Sequence, residues 1–126
     1  MDNGIGVQMM GVFSTAPAIR HTASNIFGEA MGTGVLVFCV LSHSKVEFVP
    51  GLQPAIVGML IIIIVLSLGG TTGAALNPAR DLAPRIAHAI LPIPNKGNSD
   101  WGYAWIPVFA PILGGLVAAG IFIVLP

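Results

Sequence analysis

Three long stretches of this chain are nearly free of charge, and that constrains its fold more than any other feature. Phe48 to Ala79 contains no charged residue, Trp105 to Leu125 contains none, and Ser24 to Ser42 contains only Glu29. At 1.5 Å rise, about 19 to 20 helical residues cross a hydrocarbon core roughly 30 Å thick. Only 8% of the 126 residues are charged, against about 25% in a soluble domain, too few to cover a water-facing surface. The chain therefore reads as an all-α membrane protein, with spans at about 24–42, 52–68 and 105–125.

The remaining segments fit between those spans. Phe13-Ser14-Thr15-Ala16-Pro17 reads as a loop, because Pro17 lacks a donor and holds Ala16 extended. His43 to Glu47 is a polar connection, and Pro54 suits the first turn of the second span. Gly69-Gly70 should end that span. Trp101, Tyr103 and Trp105 cluster like interfacial anchors before the third span, where Pro111 is a candidate kink. Met1-Asp2-Asn3-Gly4 has no basic region leading into an apolar run, so no cleavable signal peptide is expected.

Several function classes are set aside by composition. Five basic residues balance five acidic ones, leaving no charged face to recruit nucleic acid. The one cysteine, Cys39, lies in an apolar run and reads as a buried thiol. His21, His43 and His88 follow no metal-ligand spacing and read as loop or interfacial histidines. No nucleophile–base pair, metal cluster or cofactor motif is visible, so no catalytic residue, metal or cofactor is expected, and an enzyme is the least favoured class.

Residues 71 to about 91 are the informative exception. Thr71 to Leu76 is small and extended in character, and Asn77-Pro78 pairs a strong N-cap with the residue favoured at the first helical position. A helix from there to about Ile90 spans roughly 20 Å, too short to cross a bilayer, and it carries Arg80, Asp81 and Arg85. Non-helical backbone at membrane depth must be buried in protein or line a watery cavity. The segment thus reads as a re-entrant loop whose helix N-terminus aims partial positive charge into a pore. The Asn77 amide would donate to a permeant oxygen, and the carbonyls of Thr71 to Leu76 would form an acceptor row. A surface amphipathic helix after an ordinary loop is the alternative that spacing leaves open.

Gly73-Ala74-Ala75-Leu76-Asn77-Pro78-Ala79-Arg80-Asp81 resembles the second Asn-Pro-Ala loop of the aquaporin and glycerol-facilitator (major intrinsic protein) family. Asp81 after Arg80, and Pro107-Val108, resemble the glycerol-facilitator branch. Phe13 to Pro17 is similar to the loop before the fourth span, and Glu29 falls where the family places a buried fourth-span glutamate. The resemblance covers about residues 13 to 125 and implies the second of two inverted repeats: one half-domain over 1–126 with three spans and a re-entrant half-helix.

The resemblance implies that Asn77 donates to the permeant, that Arg80 is the cation of the selectivity constriction, and that Pro78 and Ala79 complete the motif. Asp81 is expected to hold the loop, with Arg85 as partner four residues on; Arg85 could equally be a solvated charge. Glu29 is expected to accept from backbone N–H groups of the re-entrant loop. Gly28, Gly32, Gly114, Gly115 and Ala118 are expected to let helices approach closely. Two positions depart from the glycerol-channel pattern: Ala74 stands where an aromatic is frequent, and Val65 where glycine or histidine is common. Val65, Ala74 and Arg80 together resemble filters of nodulin-like members, so a protonated weak acid joins glycerol and water as a candidate solute.

The partners implied are membrane lipid, small neutral solutes, a first-half chain or N-terminal half, and a homotetramer in the cell membrane. Lys45 is taken as cytoplasmic on the resemblance. A transport-inactive membrane fragment is the competing reading, and an ion-coupled transporter lacks the carboxylate pair it would need.

Overall fold

In the computed structural model, residues 4–125 are described; residues 1–3, on which the signal-peptide expectation falls, lie outside them. The described chain forms six helices: α1 (Gly4–Phe13), α2 (Thr22–His43), α3 (Leu52–Thr72), α4 (Pro78–Ile90), α5 (Trp101–Ala104) and α6 (Ile106–Val124). Three helical stretches are long and apolar enough to cross a membrane: Thr22–His43, Leu52–Thr72 and Trp101–Val124.

Helix α2 packs most extensively on α6, with α3 on another face. Small residues make the α2–α6 approach possible. A Cβ at Gly114 would overlap the backbone carbonyl of Ala30, and one at Gly34 would lie 3.3 Å from the carbonyl of Gly114. Gly32 serves a different contact, since a Cβ there would meet Leu76 Cδ2 at 2.7 Å. Tyr103, Ile106 and Ala110 form the buried cluster at the start of α6, with Ile26 and Ala30 packed against it. Cys39 is half-buried rather than buried, on an apolar groove between α2 and α6.

Three element boundaries differ from expectation. Helix α3 continues through Gly69-Gly70 and two threonines, ending only where Gly73 adopts a left-handed φ of 80° and donates to Gly69 O at 2.8 Å. Glycine permits a stop without forcing one, and the positive φ falls at Gly73. The helical α1 went unanticipated in residues 4–13. The third span starts earlier than about 105, because α5 runs into α6 through Trp105 in helical conformation (φ −69°, ψ −28°).

The connections sort onto two sides. Arg20, just before α2, pairs with Asp100, just before α5, through two hydrogen bonds of 3.0 and 2.7 Å. Segments 14–21 and 91–100 therefore share one side, and the 44–51 connection lies at the opposite end of α2.

Candidate functional site: the re-entrant loop and half-helix

The start of α4 lies halfway along α2. Thr33, the twelfth residue of that 22-residue helix, donates from Oγ1 to Leu76 O at 3.3 Å. Eleven steps of 1.5 Å put this point about 16 Å from the helix start, near the centre of a bilayer-spanning element. From there α4 returns toward the side of Arg20 and Asp100, where Arg85 reaches the carbonyls of Ser99 and Asp100. Residues 73–77 thus form a re-entrant loop, and the surface-helix alternative does not describe this chain: Asp81, Arg85 and His88 are fully buried.

The loop backbone is strained and locked. Ala74 (φ 49°) and Leu76 (φ 56°) both occupy the left-handed region, which costs a residue with a Cβ about 1–2 kcal/mol. What holds them there is Glu29, fully buried on α2. Its Oε1 accepts from Ala75 N at 2.9 Å and its Oε2 from Leu76 N at 2.8 Å. Bonds to a charged acceptor contribute about 1.5–3 kcal/mol each, enough to offset the strain. Thr72 Oγ1 accepts from Ala74 N at 3.2 Å, adding a third tie. Glu29 also satisfies the rule that an intramembrane carboxylate must be hydrogen-bonded.

Asn77 caps α4. Its Oδ1 accepts from Ala79 N at 2.8 Å and Arg80 N at 3.4 Å, and Pro78 takes the first helical position. With the oxygen so engaged, the exposed side chain has its NH2 group left to donate outward, and that group has no partner among the described residues. Ala79 and Arg80 are exposed too, and the Arg80 guanidinium has no hydrogen-bond or ionic partner among the described residues. Pro84 lies within α4 and cannot donate, so the Arg80 carbonyl lacks its usual i+4 amide.

The acceptor row is shorter than expected. Thr71 O accepts from Ala18 N at 3.0 Å, and Leu76 O is taken by Thr33. Thr72, Gly73, Ala74 and Ala75 are the carbonyls of that row with no donor among the described residues. Ala74 and Ala75 are buried at 7% and 3% exposure, backbone included, whereas Gly73 is exposed. Val65 is 43% exposed. Val65 Cγ1 and Ala74 Cβ flank Gly69, at 3.6 and 3.5 Å from where its Cβ would stand, which places them on one patch.

Behind the half-helix lies a fully buried ionic cluster. Asp81 Oδ1 accepts from Arg85 Nε at 2.9 Å and pairs with its Nη2 at 2.7 Å, while Oδ2 accepts from Thr15 N and Oγ1 at 2.8 and 2.5 Å. Arg85 spends its other donors on backbone: Thr15 O at 2.7 Å, Ser99 O at 2.8 Å and Asp100 O at 3.2 Å. The solvated-charge alternative for Arg85 is thereby excluded. His88 is likewise no loop or interfacial histidine. It is buried, bonded through Nδ1 to Ser99 Oγ (2.9 Å) and through Nε2 to Lys96 O (3.1 Å), with Phe13 edge-on. Lys96 Nζ donates to Ala89 O and Leu91 O, both at 2.7 Å, capping the end of α4. His21 and His43 do sit at helix ends, the former accepting from Ser24 N as an N-cap.

Sequence reasoning did not single out Thr33 or Ser99, gave the Thr15 and Thr72 side chains no role, and placed His88 in a loop or interface. Their bonds reach Asp81 across 66 residues, Leu76 across 43 and His88 across 11, or are local turns that spacing does not distinguish.

Comparison with known proteins agrees with this architecture. The major intrinsic protein family model matches residues 3–122. Glycerol uptake facilitator protein 3 of Lactiplantibacillus plantarum is 57% identical over 118 residues, 94% of this chain and 49% of that protein. The glycerol uptake facilitator protein of Bacillus subtilis is 61% identical over 106 residues, 84% of this chain and 39% of that protein. The X-ray structure of the aquaglyceroporin from Plasmodium falciparum superposes with a TM-score of 0.76 at 29% identity, covering 87% of this chain and 48% of its own. The chain spans about half the length, or less, of these curated relatives. Its half-helix capped by Asn77 and its three apolar spans are those of a multi-pass membrane protein, and the chain belongs to the major intrinsic protein family.

Proposed function

We propose that residues 1–126 form the second half-domain of a passive channel for glycerol, water and similar small neutral solutes in the cell membrane. The observation that carries this reading is the capped N-terminus of α4 at mid-membrane depth. The Oδ1 of Asn77 is committed to the cap, leaving its amide hydrogens as donors beside an uncommitted Arg80. The N-terminal end of a helix carries about half a positive charge, and with Arg80 it repels cations while favouring hydroxyl and water oxygens. The carbonyls of Gly73, Ala74 and Ala75, which have no donor among the described residues, accept from the same permeant, while Pro78 and Leu76 hold the turn. Val65, exposed beside the buried Ala74, brings apolar surface to one side of the opening, which suits glycerol and also admits a protonated weak acid.

A second half-helix must close the pore, so the partner is a first half resembling that of the relatives, and the assembly is a homotetramer of completed channels. The test is stopped-flow reswelling of proteoliposomes holding this chain together with the first half of the Bacillus subtilis relative. Glycerol flux above that of either half alone is expected. Arg80→Ala should lower the discrimination against cations, read as a rise in conductance. Absence of glycerol flux from the paired halves would leave the transport-inactive reading standing.

A further inference from the structure

The guanidinium of Arg85 joins three parts of the chain, adding side-chain bonds to the packing of α1 and α6 against α4. It binds Asp81 in the first turn of α4, the carbonyl of Thr15 in the segment before α2, and the carbonyls of Ser99 and Asp100 before α5. Thr15 answers with two donors to Asp81, so the pairing is reciprocal. The 14–18 segment is tied again at its far end, where Ala18 N donates to Thr71 O. Between those ties it runs over Gly73, and a Cβ on Gly73 would lie 3.4 Å from Thr15 Cβ and Cγ2 and 3.9 Å from Ala16 O. The segment is therefore a wall standing over the entrance to the re-entrant loop, one residue removed from Arg80 at its Asp81 anchor.

We infer that Arg85 is a positioning residue for the outer mouth. It does not meet solute: it is fully buried. It fixes segment 14–18 and residues 99–100 against the half-helix, and through Asp81 it fixes the turn from which Arg80 projects. The width of the entrance then depends on a buried cation, and releasing that cation lets the wall move outward while the bilayer-spanning helices stay packed. The expected phenotype is loss of size selection, with larger polyols gaining flux relative to glycerol.

This selectivity arm rests on the channel reading, so the experiment has two independent readouts. Amide hydrogen exchange of the chain in lipid nanodiscs is compared for wild type, Arg85→Met, Arg85→Lys and Thr15→Val. Arg85→Met should speed exchange at Thr15 and Ala18 by about tenfold or more, with α2 and α3 still protected. Arg85→Lys should recover part of that loss. Thr15→Val, which keeps the backbone donor and removes the hydroxyl, should show a smaller effect and guards against a methionine variant that does not fold. The paired halves are then assayed for the ratio of a five-carbon polyol to glycerol, which should rise in Arg85→Met. Unchanged exchange at Thr15 and Ala18 in both the Met and Val variants overturns the clasp. Faster exchange with an unchanged polyol ratio overturns its role in selection. Failure of the channel reading would look different, as absent flux in wild type with the exchange pattern as expected.

Discussion

At the scale of single residues, two buried carboxylates decide the shape of the site: Glu29 binds loop backbone, and Asp81 binds Thr15 and the Arg85 guanidinium. Glu29 receives the N–H of Ala75, which lies between the left-handed Ala74 and Leu76, and that of Leu76 itself. Glu29→Gln keeps the size but offers one acceptor oxygen in place of two. It should cost about 1.5–3 kcal/mol, read as a lower midpoint of thermal unfolding in detergent micelles. An unchanged midpoint would mean that the loop holds its conformation without the carboxylate. The Asn77 cap was legible from sequence because its signal is local: asparagine followed by proline states a helix start in two residues. The partners of Arg85 were not legible, because a backbone carbonyl has no residue type to announce it.

At the scale of elements, the α2–α6 seam depends on missing side chains. Gly114 faces the Ala30 carbonyl with no room for a methyl group, whereas Gly120, on the same helix, has nothing near it within the chain. Gly114→Ala should destabilise by about 1–3 kcal/mol through overpacking. Gly120→Ala should be neutral or stabilising by up to roughly 1 kcal/mol, since alanine is the better helix former. Paired unfolding curves in the same detergent check both, and equal midpoints for the two variants would remove the seam from the account. Helix existence was readable from uncharged runs alone. Helix ends were less so: Gly69 and Gly70 carry the same residue type as Gly73, yet only Gly73 takes the positive φ. Which glycine stops the helix is set by the pull of Glu29 on the loop beyond it, a contact spanning 46 residues.

For the molecule as a whole, the exposed surface is the telling quantity. Leu66, Ile123 and Val124 are among many large apolar side chains left open, as lipid or a completing half requires. Trp101 and Trp105, half-exposed at the head of the last span, should sit at the headgroup level. Lipids brominated near the carbonyl end of the acyl chain should therefore quench their fluorescence more strongly than lipids brominated near the chain terminus. The reverse order would place that end of the molecule at the wrong depth. The fold class followed from charge-free length, but the half-helix could be told from a surface helix only through the family resemblance. Its depth is fixed by Thr33, whose sequence context is an unremarkable Gly-Thr-Gly.

The ties on the re-entrant loop also have an order in time. Synthesis runs from the N-terminus, so α2 is made before residues 75 and 76. The Glu29 acceptor already exists when the amides it must bind emerge. Arg85, by contrast, is made before Ser99 and Asp100, and its clasp closes only once those two residues are made. Loop conformation is thus settled early, and the clasp that ties segment 14–18 and residues 99–100 to the half-helix is settled late.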